Sequence, residues 1–321
     1  GDVYKRQSDS EAVVGNIIDI DIDVRVARDF GGANVVKNLE ENNLSLDDPN
    51  KTFFTFDCVV PANNIPYANN QQICRKFAKE QGIKVYDVDS GIGSHVMIEK
   101  GIVVPGSIAV GTDSHLNILG AIGAFGQGMG DRDIAFVFKT GKTWFEVPES
   151  IKVDIEGKPS KGTSAKDIAL YMLRRFGSRG ALGRAVEYYG AWVKGLDLAG
   201  RITLASMATE MGAITSFITP NDAVLNFCRS RRAKGDVNAL HADSDAEYAE
   251  VRSIDISDLK PQIAKPPRPD NVVDVDEVAD VEINSVFIGS CTNGTYEDIK
   301  RVAEIVKGRH VAPGVMAKVC L

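Results

Sequence analysis

The sequence has few histidines for its length, no even set of cysteines and no long hydrophobic run. Its 321 residues include five cysteines and four histidines. An odd number of scattered cysteines does not form the disulfide framework of a small secreted protein, so we expect a reducing, cytoplasmic location. No apolar stretch approaches the ~20 residues that span a bilayer, and no secretory signal is visible, so we expect no membrane contact.

Basic residues are also outnumbered. The 37 lysines and arginines stand against 44 aspartates and glutamates, which leaves a formal net charge of −7. An acidic surface repels phosphate groups, so the composition argues against nucleic acid and anionic membrane as partners.

Several common catalytic and nucleotide-binding signatures are missing. The sequence has no Walker motif, no Cys-x-x-Cys pair and no Gly-x-Ser-x-Gly elbow. The glycine run over residues 120–130 lacks the full dinucleotide spacing, and it predicts close helix packing instead of a nucleotide loop.

The bulk composition favours an α/β protein with two or three domains. Hydrophobic residues make up 44% of the chain, which also has 30 glycines. We expect α/β domains at 12–150 and 151–260, a proline-rich linker at 261–280, and the start of a third α/β domain at 281–321. Residues 1–11 are expected to be a non-native leader, and the whole chain an internal piece of a longer protein.

The first domain alternates predicted strands and helices. Strands are predicted at 52–56, 84–88 and 107–110, a helix at 71–81, and a glycine-rich helical stretch after residue 110. This alternation favours a mostly parallel sheet with helices on both faces, in which the chemistry lies beyond the carboxyl ends of the strands. Asp57, His95 and residues 113–115 follow the predicted strands.

Residues 113–115 place a carboxylate, a hydroxyl and an imidazole at one strand end. The Asp113 carboxylate could fix the tautomer of His115 and raise its basicity, and Ser114 adds a donor. A surface turn is the alternative. His95, in a glycine-rich turn after residue 88, makes two of the four histidines fall at successive strand ends. Glu210 lies in an apolar helical stretch and needs a partner there, either in an ion pair or in a site.

Cys291 lies where a short apolar strand leads into a helix. Thr295 and Asp298 form a capping-box pattern, and apolar residues recur at helical spacing until Gly308. A thiolate near a helix N-terminus favours its ionised, metal-ligating form. A buried strand-end cysteine is the alternative.

Together these segments resemble the aconitase superfamily, and most closely its two-subunit isopropylmalate dehydratase and homoaconitase type. The motifs that carry the resemblance, in chain order, are FD at 56–57, GTDSH at 111–115, TGKTWF at 140–145, MATE at 207–210 and IGSCTN at 288–293. The resemblance implies three-layer α/β/α domains with mostly parallel sheets.

The resemblance also implies an activity and a site. Such a chain would be the large subunit of an iron–sulfur hydro-lyase that interconverts 2-hydroxy and 3-hydroxy acids, most closely the dehydratase of leucine biosynthesis. Homoaconitase, aconitase and methyl-substituted malate dehydratase are the alternatives within the family. Cys291 would be the first ligand of a [4Fe–4S] cluster, with two further cysteines expected beyond Leu321. The implied catalytic residues are Asp57, His95, Asp113, Ser114, His115 and Glu210, and those around substrate and cluster are Ser206, Ser290, Thr292 and Asn293.

The sequence departs from the family pattern at two positions. The family usually has Asp-His where this chain has Asp57-Cys58, and often has asparagine where this chain has Ser206. A neutral thiol is a poor substitute for imidazole in proton delivery. The family's serine base lies on a swivelling domain, which in this type is a separate small subunit, so such a partner is expected.

Two other functions fit part of the pattern. A lineage that has lost catalysis would keep the fold and act as a binding protein, as Cys58 and Ser206 suggest. A mononuclear zinc enzyme could use Cys291, His95 and His115, and ligands converging at zinc distances would support it.

Overall fold

The computed structural model describes residues 12–232 and 236–320. The leader expected at 1–11 lies outside the described residues. The strands are β1 (Ile17–Asp21), β2 (Val24–Arg28), β3 (Thr52–Thr55), β4 (Lys84–Tyr86), β5 (Ile108–Gly111), β6 (Phe125–Gly128), β7 (Lys142–Glu146), β8 (Ser150–Glu156), β9 (Ala185–Tyr189), β10 (Thr215–Phe217), β11 (Glu250–Asp255), β12 (Gln262–Ala264), β13 (Val272–Asp274), β14 (Ser285–Ile288) and β15 (Met316–Val319). The α-helices are α1 (Gly32–Glu41), α2 (Ile65–Gln81), α3 (Gly93–Glu99), α4 (Asp131–Thr140), α5 (Ala165–Phe176), α6 (Ala191–Lys194), α7 (Leu198–Ser206), α8 (Asp222–Arg231) and α9 (Tyr296–Val306).

The first sheet is parallel and five-stranded, in the order β4-β3-β2-β5-β6. The chain builds outward from β2 to β4, then crosses back to add β5 and β6 on the other side. The order therefore reverses between β2 and β5. In an open parallel sheet a crevice for ligands forms at this point, outside the carboxyl ends of the strands.

Successive side chains on the strands of this sheet enter two different hydrophobic clusters. In β3, Phe53 belongs to one cluster and Phe54 to the other, and in β2 Val26 and Ala27 divide in the same way. Helices α1, α2 and α4 contribute to the cluster on one face, while α3 and α7 contribute to the other. Because both faces are covered, the strands are apolar along their length, as the layered α/β prediction requires. That fold class is confirmed.

The second sheet is also parallel, in the order β10-β9-β8-β11. Alternate residues of β8 are buried, beginning with Ile151. Helix α5 begins at the predicted capping box, in which Ser164 and Asp167 satisfy each other's backbone N–H groups. The cluster that contains Ile151 also contains residues of β2 and β5, so the two sheets share one core.

Two sequence predictions about this part of the chain need correction. Residues after β5 form a 3-10 helix (Leu116–Ile122) and then β6, so Gly126 and Gly128 lie on a strand and not on a helix. They do permit a close approach, because a Cβ at Gly128 would overlap the backbone of Asp113. The proline-rich segment forms the antiparallel β12–β13 hairpin, which contacts α5, where the sequence predicts an extended linker.

The last described segment is a small parallel unit. Strands β14 and β15 pair, and α9 connects them, starting at the predicted capping box of Thr295 and Asp298. Most of its residues are exposed, and it meets the rest of the chain mainly through the loop before α9. Across the described residues, no helix has the length and apolar character to cross a membrane.

Candidate active site at the edge of the first sheet

The carboxyl edge of the first sheet gathers most of the predicted site residues. Asp57 follows β3, His95 lies in the first turn of α3 after β4, and Asp113 follows β5. Arg28, which sequence reasoning missed, ends β2 between them. The strand order puts these residues side by side, because their strands are neighbours in the sheet.

Arg28 joins the two aspartates. Its Nε donates to Asp57 Oδ1 at 2.6 Å, and its Nη1 donates to Asp113 Oδ1 at 2.9 Å. The side chains of Asp57 and Asp113 are only 2% and 6% exposed, so both carboxylates are nearly buried beside one guanidinium. Charge-assisted bonds of this kind are among the stronger hydrogen bonds in proteins.

A backbone donor completes the surroundings of Asp57. Gly93 N–H, at the start of α3, donates to Asp57 Oδ2 at 2.6 Å. A Cβ at Gly93 would overlap the Thr55 side chain, so glycine allows α3 to begin this close to the carboxylate. Burial raises the pKa of Asp57 even though Arg28 opposes the shift. Burial works against the charge on Arg28, but the two aspartates outweigh it and raise its pKa.

His115 finds its carboxylate in Glu210, not in Asp113. The ring Nε2 lies 3.2 Å from Glu210 Oε1, while Ser114 Oγ lies 3.2 Å from Nδ1. Asp113 instead accepts the backbone N–H of His115 at 3.0 Å. Asp113 therefore does not set the tautomer of His115, because the ring bonds to Glu210 in the 3-10 helix Thr209–Met211, but its charge does raise the pKa of the imidazole as predicted.

The pairing shifts both groups towards their charged forms. The hydrogen bond that the His115 ring donates to Glu210 raises the pKa of His115, against the effect of burial. The same bond lowers the pKa of Glu210. A proton between Nε2 and Oε1 is thus favoured on the imidazole.

His95 meets the loop that carries Cys291. Its Nε2 lies 2.7 Å from the Cys291 carbonyl oxygen, which fixes Nε2 as the protonated nitrogen of the ring. Cys291 lies in the loop between β14 and α9 and is half-buried, a few residues before the helix that the predicted capping box starts. One predicted imidazole and the predicted metal ligand therefore lie in direct contact.

Two polar residues hold this loop on α7. Ser206 Oγ lies 2.8 Å from Thr292 Oγ1, and Thr203 Oγ1 donates to the Thr292 carbonyl at 2.9 Å. Thr292 Oγ1 in turn lies 4.0 Å from Cys291 Sγ. Ser206, the last residue of α7, therefore positions the residue next to the sulfur.

The other loop residues shape the turn. Ser290 Oγ accepts the backbone N–H of Asn293 at 3.0 Å, and the Asn293 amide donates to Asp298 at 2.8 Å. Ser114 is exposed, and in the described part of the chain its hydroxyl bonds to the His115 ring and to neither aspartate. Ser290 and Asn293 therefore support the loop, and Ser114 supports the imidazole, all from outside the aspartate pair.

Cys58 sits beside Asp57 as a neutral thiol. Its Sγ lies 3.5 Å from Asp57 Oδ1, and Asp29 accepts its backbone N–H at 3.1 Å. Partial burial of the sulfur, with Asp57 and Asp29 alongside, raises the pKa of Cys58 to about 12 against the opposing Arg28. The thiol therefore does not exchange a proton readily near neutral pH.

The zinc alternative finds no support in the ligand geometry. Among the described residues, the one group of three His, Cys, Asp or Glu side chains close enough to share an ion is Asp29, Asp57 and Cys58. Asp29 is buried and accepts hydrogen bonds from Gln71 and from two backbone N–H groups. Cys291, His95 and His115 do not converge as a metal ligand set.

Comparison with known proteins decides the family. The profile of the aconitase family (aconitate hydratase) matches residues 2–281 and 276–320 of the chain. The chain belongs to the aconitase family. Membership confirms the family expected from the five ordered motifs and the layered α/β fold that goes with it.

Aconitase-family relatives match almost the whole chain. It is 43% identical over 311 residues to the "3-isopropylmalate dehydratase large subunit 1" of Methanopyrus kandleri, which covers 96% of this chain and 74% of the relative. It is 39% identical over 316 residues to a protein of the same name from Archaeoglobus fulgidus, covering 98% of this chain and 75% of the relative. The "probable methanogen homoaconitase large subunit" of Methanothermobacter thermautotrophicus is 39% identical over 307 residues, covering 94% of this chain and 72% of the relative.

Proposed function

We propose that this chain is the large subunit of a cytoplasmic hydro-lyase that interconverts 2-hydroxy and 3-hydroxy acids, with 3-isopropylmalate as its substrate. Family membership and the names of its relatives support the reaction class and the substrate. One structural observation carries the proposal: the Arg28–Asp57–Asp113 group, the His115–Glu210 pair and the Cys291 loop all meet at one sheet edge.

Cys291 has the properties of an iron–sulfur ligand. It is a free, half-buried cysteine, and its loop is held by His95, Thr203 and Ser206. A [4Fe–4S] cluster with one open iron needs three thiolates, so the two others would come from sequence that follows Leu321. When bound, such a cluster supplies a Lewis acid for the substrate carboxylate and hydroxyl.

The residues of this chain would supply orientation and a proton. Loss of water from a hydroxy acid needs a base that removes a carbon-bound proton and an acid that protonates the departing hydroxyl. His115, with the proton held on Nε2 by Glu210, is suited to the acid role. We assign the base to the small subunit, which would bind over the same edge.

The test is reconstitution of the protein with its small subunit, including whatever sequence follows Leu321 in its gene. We expect turnover of 3-isopropylmalate in preference to homocitrate and citrate, and a visible cluster absorbance that Cys291→Ser abolishes. Cys320→Ser is the matched control, because Cys320 is a free cysteine of the same small unit, and it should keep the absorbance. Preference for homocitrate would favour the homoaconitase activity instead.

A catalytically lapsed binding protein is the second candidate. The observation that favours it is Cys58, since its neutral thiol stands where the family usually has an imidazole. Cluster assembly and hydroxy-acid binding without any turnover would favour this candidate over the enzyme.

A further inference from the structure

Arg28 keeps one donor group free. Its Nε and Nη1 are committed to Asp57 and Asp113, and its backbone N–H donates to Thr112. Its Nη2 has no hydrogen-bond partner among the described residues, and the side chain stays 22% exposed. The guanidinium is therefore held rigidly by two of its nitrogens while the third remains available.

A comparison with Arg25 on the same strand shows that this free donor is unusual. The Arg25 side chain is 2% exposed, and its unpartnered Nε and Nη1 are sealed from solvent. Nη2 of Arg28 is not among the sealed polar atoms, so it keeps contact with solvent, on a side chain that ends β2 at the carboxyl edge of the sheet. A fixed, solvent-facing donor on a cation is what an anionic ligand needs.

The charge of the site also calls for a cation. Asp57, Asp113 and Glu210 all carry carboxylates, which repel a dianionic hydroxy acid. In the described contacts, Arg28 is the one arginine or lysine that bonds to a predicted site residue. The planar fork of a guanidinium also matches the geometry of a carboxylate better than an ammonium group does.

We propose that Arg28 binds one carboxylate of the hydroxy-diacid substrate through Nη2, while its other two nitrogens hold Asp57 and Asp113 in place. This rests on the proposed function, because it names the residue that recognises the substrate of that reaction. The position of Arg28 at the reversal of strand order, between Asp57 and Asp113, puts the bound carboxylate next to the reacting groups.

The experiment is a cycle of binding measurements on the reconstituted two-subunit holoenzyme. Calorimetry compares 3-isopropylmalate with each of its two monoamides, in the wild type and in Arg28→Gln. For the carboxylate that Arg28 binds, we expect its amide to bind the wild type about 10- to 100-fold more weakly than the diacid. In Arg28→Gln the affinity for the diacid should fall by a similar factor. The affinity for that amide should change by less than about threefold.

Two further variants separate recognition from structure. Arg75→Gln breaks a comparable ion pair, since Arg75 bonds to Asp87 at 2.6 Å through two nitrogens, and it should leave the ratio of diacid to amide binding unchanged. Arg28→Lys keeps a positive charge but loses the planar set of guanidinium donors. It should therefore keep part of the difference in affinity between diacid and amide. Arg28→Lys also keeps the test valid if Arg28→Gln does not fold, as judged by circular dichroism.

The outcomes distinguish this inference from the proposed function. The role of Arg28 is overturned if the amide and Arg28→Gln weaken binding additively. It is also overturned if the ratio of diacid to amide affinity is the same in the wild type, Arg28→Lys and Arg28→Gln. Either result would count even if the wild type turns over 3-isopropylmalate. The expected coupling without turnover would support Arg28 as the carboxylate anchor and refute the dehydratase activity. If the wild type binds neither diacid nor amide, both are refuted.

Discussion

Replacing Glu210 with glutamine tests whether the His115–Glu210 pair sets the proton state of the site. Glutamine keeps the size and can still hydrogen-bond, but it carries no charge. The hydrogen bond that His115 donates to the Glu210 carboxylate raises the pKa of His115 above its ordinary 6.5, so the pKa should fall in Glu210→Gln. The change isolates the charge of one carboxylate.

The effect of this pair on stability should be small and confined to a pH window. At 4 Å, two charges near a protein surface attract by about 4 kcal/mol. The side chains of His115 and Glu210 are 30% and 34% exposed, however, and solvent screening reduces such pairs to about 0.2–1 kcal/mol. Because the pKa of His115 is raised in the folded protein, its contribution to the free energy of unfolding is complete below pH 6.5. That contribution is lost as the pH rises through the pKa of His115 in the folded state. Because the pKa of Glu210 is lowered, its contribution is full above pH 4.5 and is lost as the pH falls through the folded pKa.

The assay is an NMR titration of the imidazole carbons. Only four histidines have to be resolved, and His115→Gln assigns the signal of interest. Glu149→Gln is the control, because Glu149 pairs with Arg184 and not with a histidine. An identical titration of His115 in the wild type and in Glu210→Gln would refute the view that Glu210 holds the proton on Nε2. In urea unfolding, Glu210→Gln should lose more free energy of unfolding relative to the wild type at pH 5.5 than at pH 9.

Three other predictions concern single groups. Cys58 is an exposed residue, but its partly desolvated thiol has a pKa raised to about 12, so it should react with iodoacetamide at pH 8 more than about tenfold slower than glutathione, as measured by mass spectrometry. Asp47→Ala removes the carboxylate 2.8 Å from the buried Arg25 guanidinium, and, because the Asp47 side chain is itself 42% exposed, it should lower the free energy of unfolding by about 1–2 kcal/mol in urea titrations. Ser164→Ala removes the cap of α5 and should cost about 1 kcal/mol by the same measurement, while Ser164→Thr should cost less.

Features set by local sequence could be predicted. The capping boxes that start α5 and α9 depend on residues three apart, and both form as expected. The positions of Asp57 and Asp113 near strand ends also follow from local pattern, since each comes two residues after a buried strand. The family itself followed from the order of five short motifs.

The pairings within the site could not be predicted, because they depend on strand order. The Asp113 side chain turns from the nearby His115 ring to Arg28, which comes from β2 and lies 85 positions earlier in the chain. A basic residue at the end of the stretch VRVAR, followed by Asp29, was the available signal for Arg28. It carries no meaning until β2 is known to lie between β3 and β5.

The proposed metal ligand and the proton-holding pair are mechanically connected through one helix. Ser206 ends α7 and bonds to Thr292 beside Cys291, while Glu210 lies in the 3-10 helix that follows directly and bonds to His115. A shift of the Cys291 loop would therefore act on the end of α7 and reach Glu210 through a few residues. Since close-packed interiors transmit small shifts, the end of α7 keeps the Cys291 loop and Glu210 in a fixed relation to each other. This connection explains why a loop from an otherwise exposed unit is held by buried hydroxyls of α7.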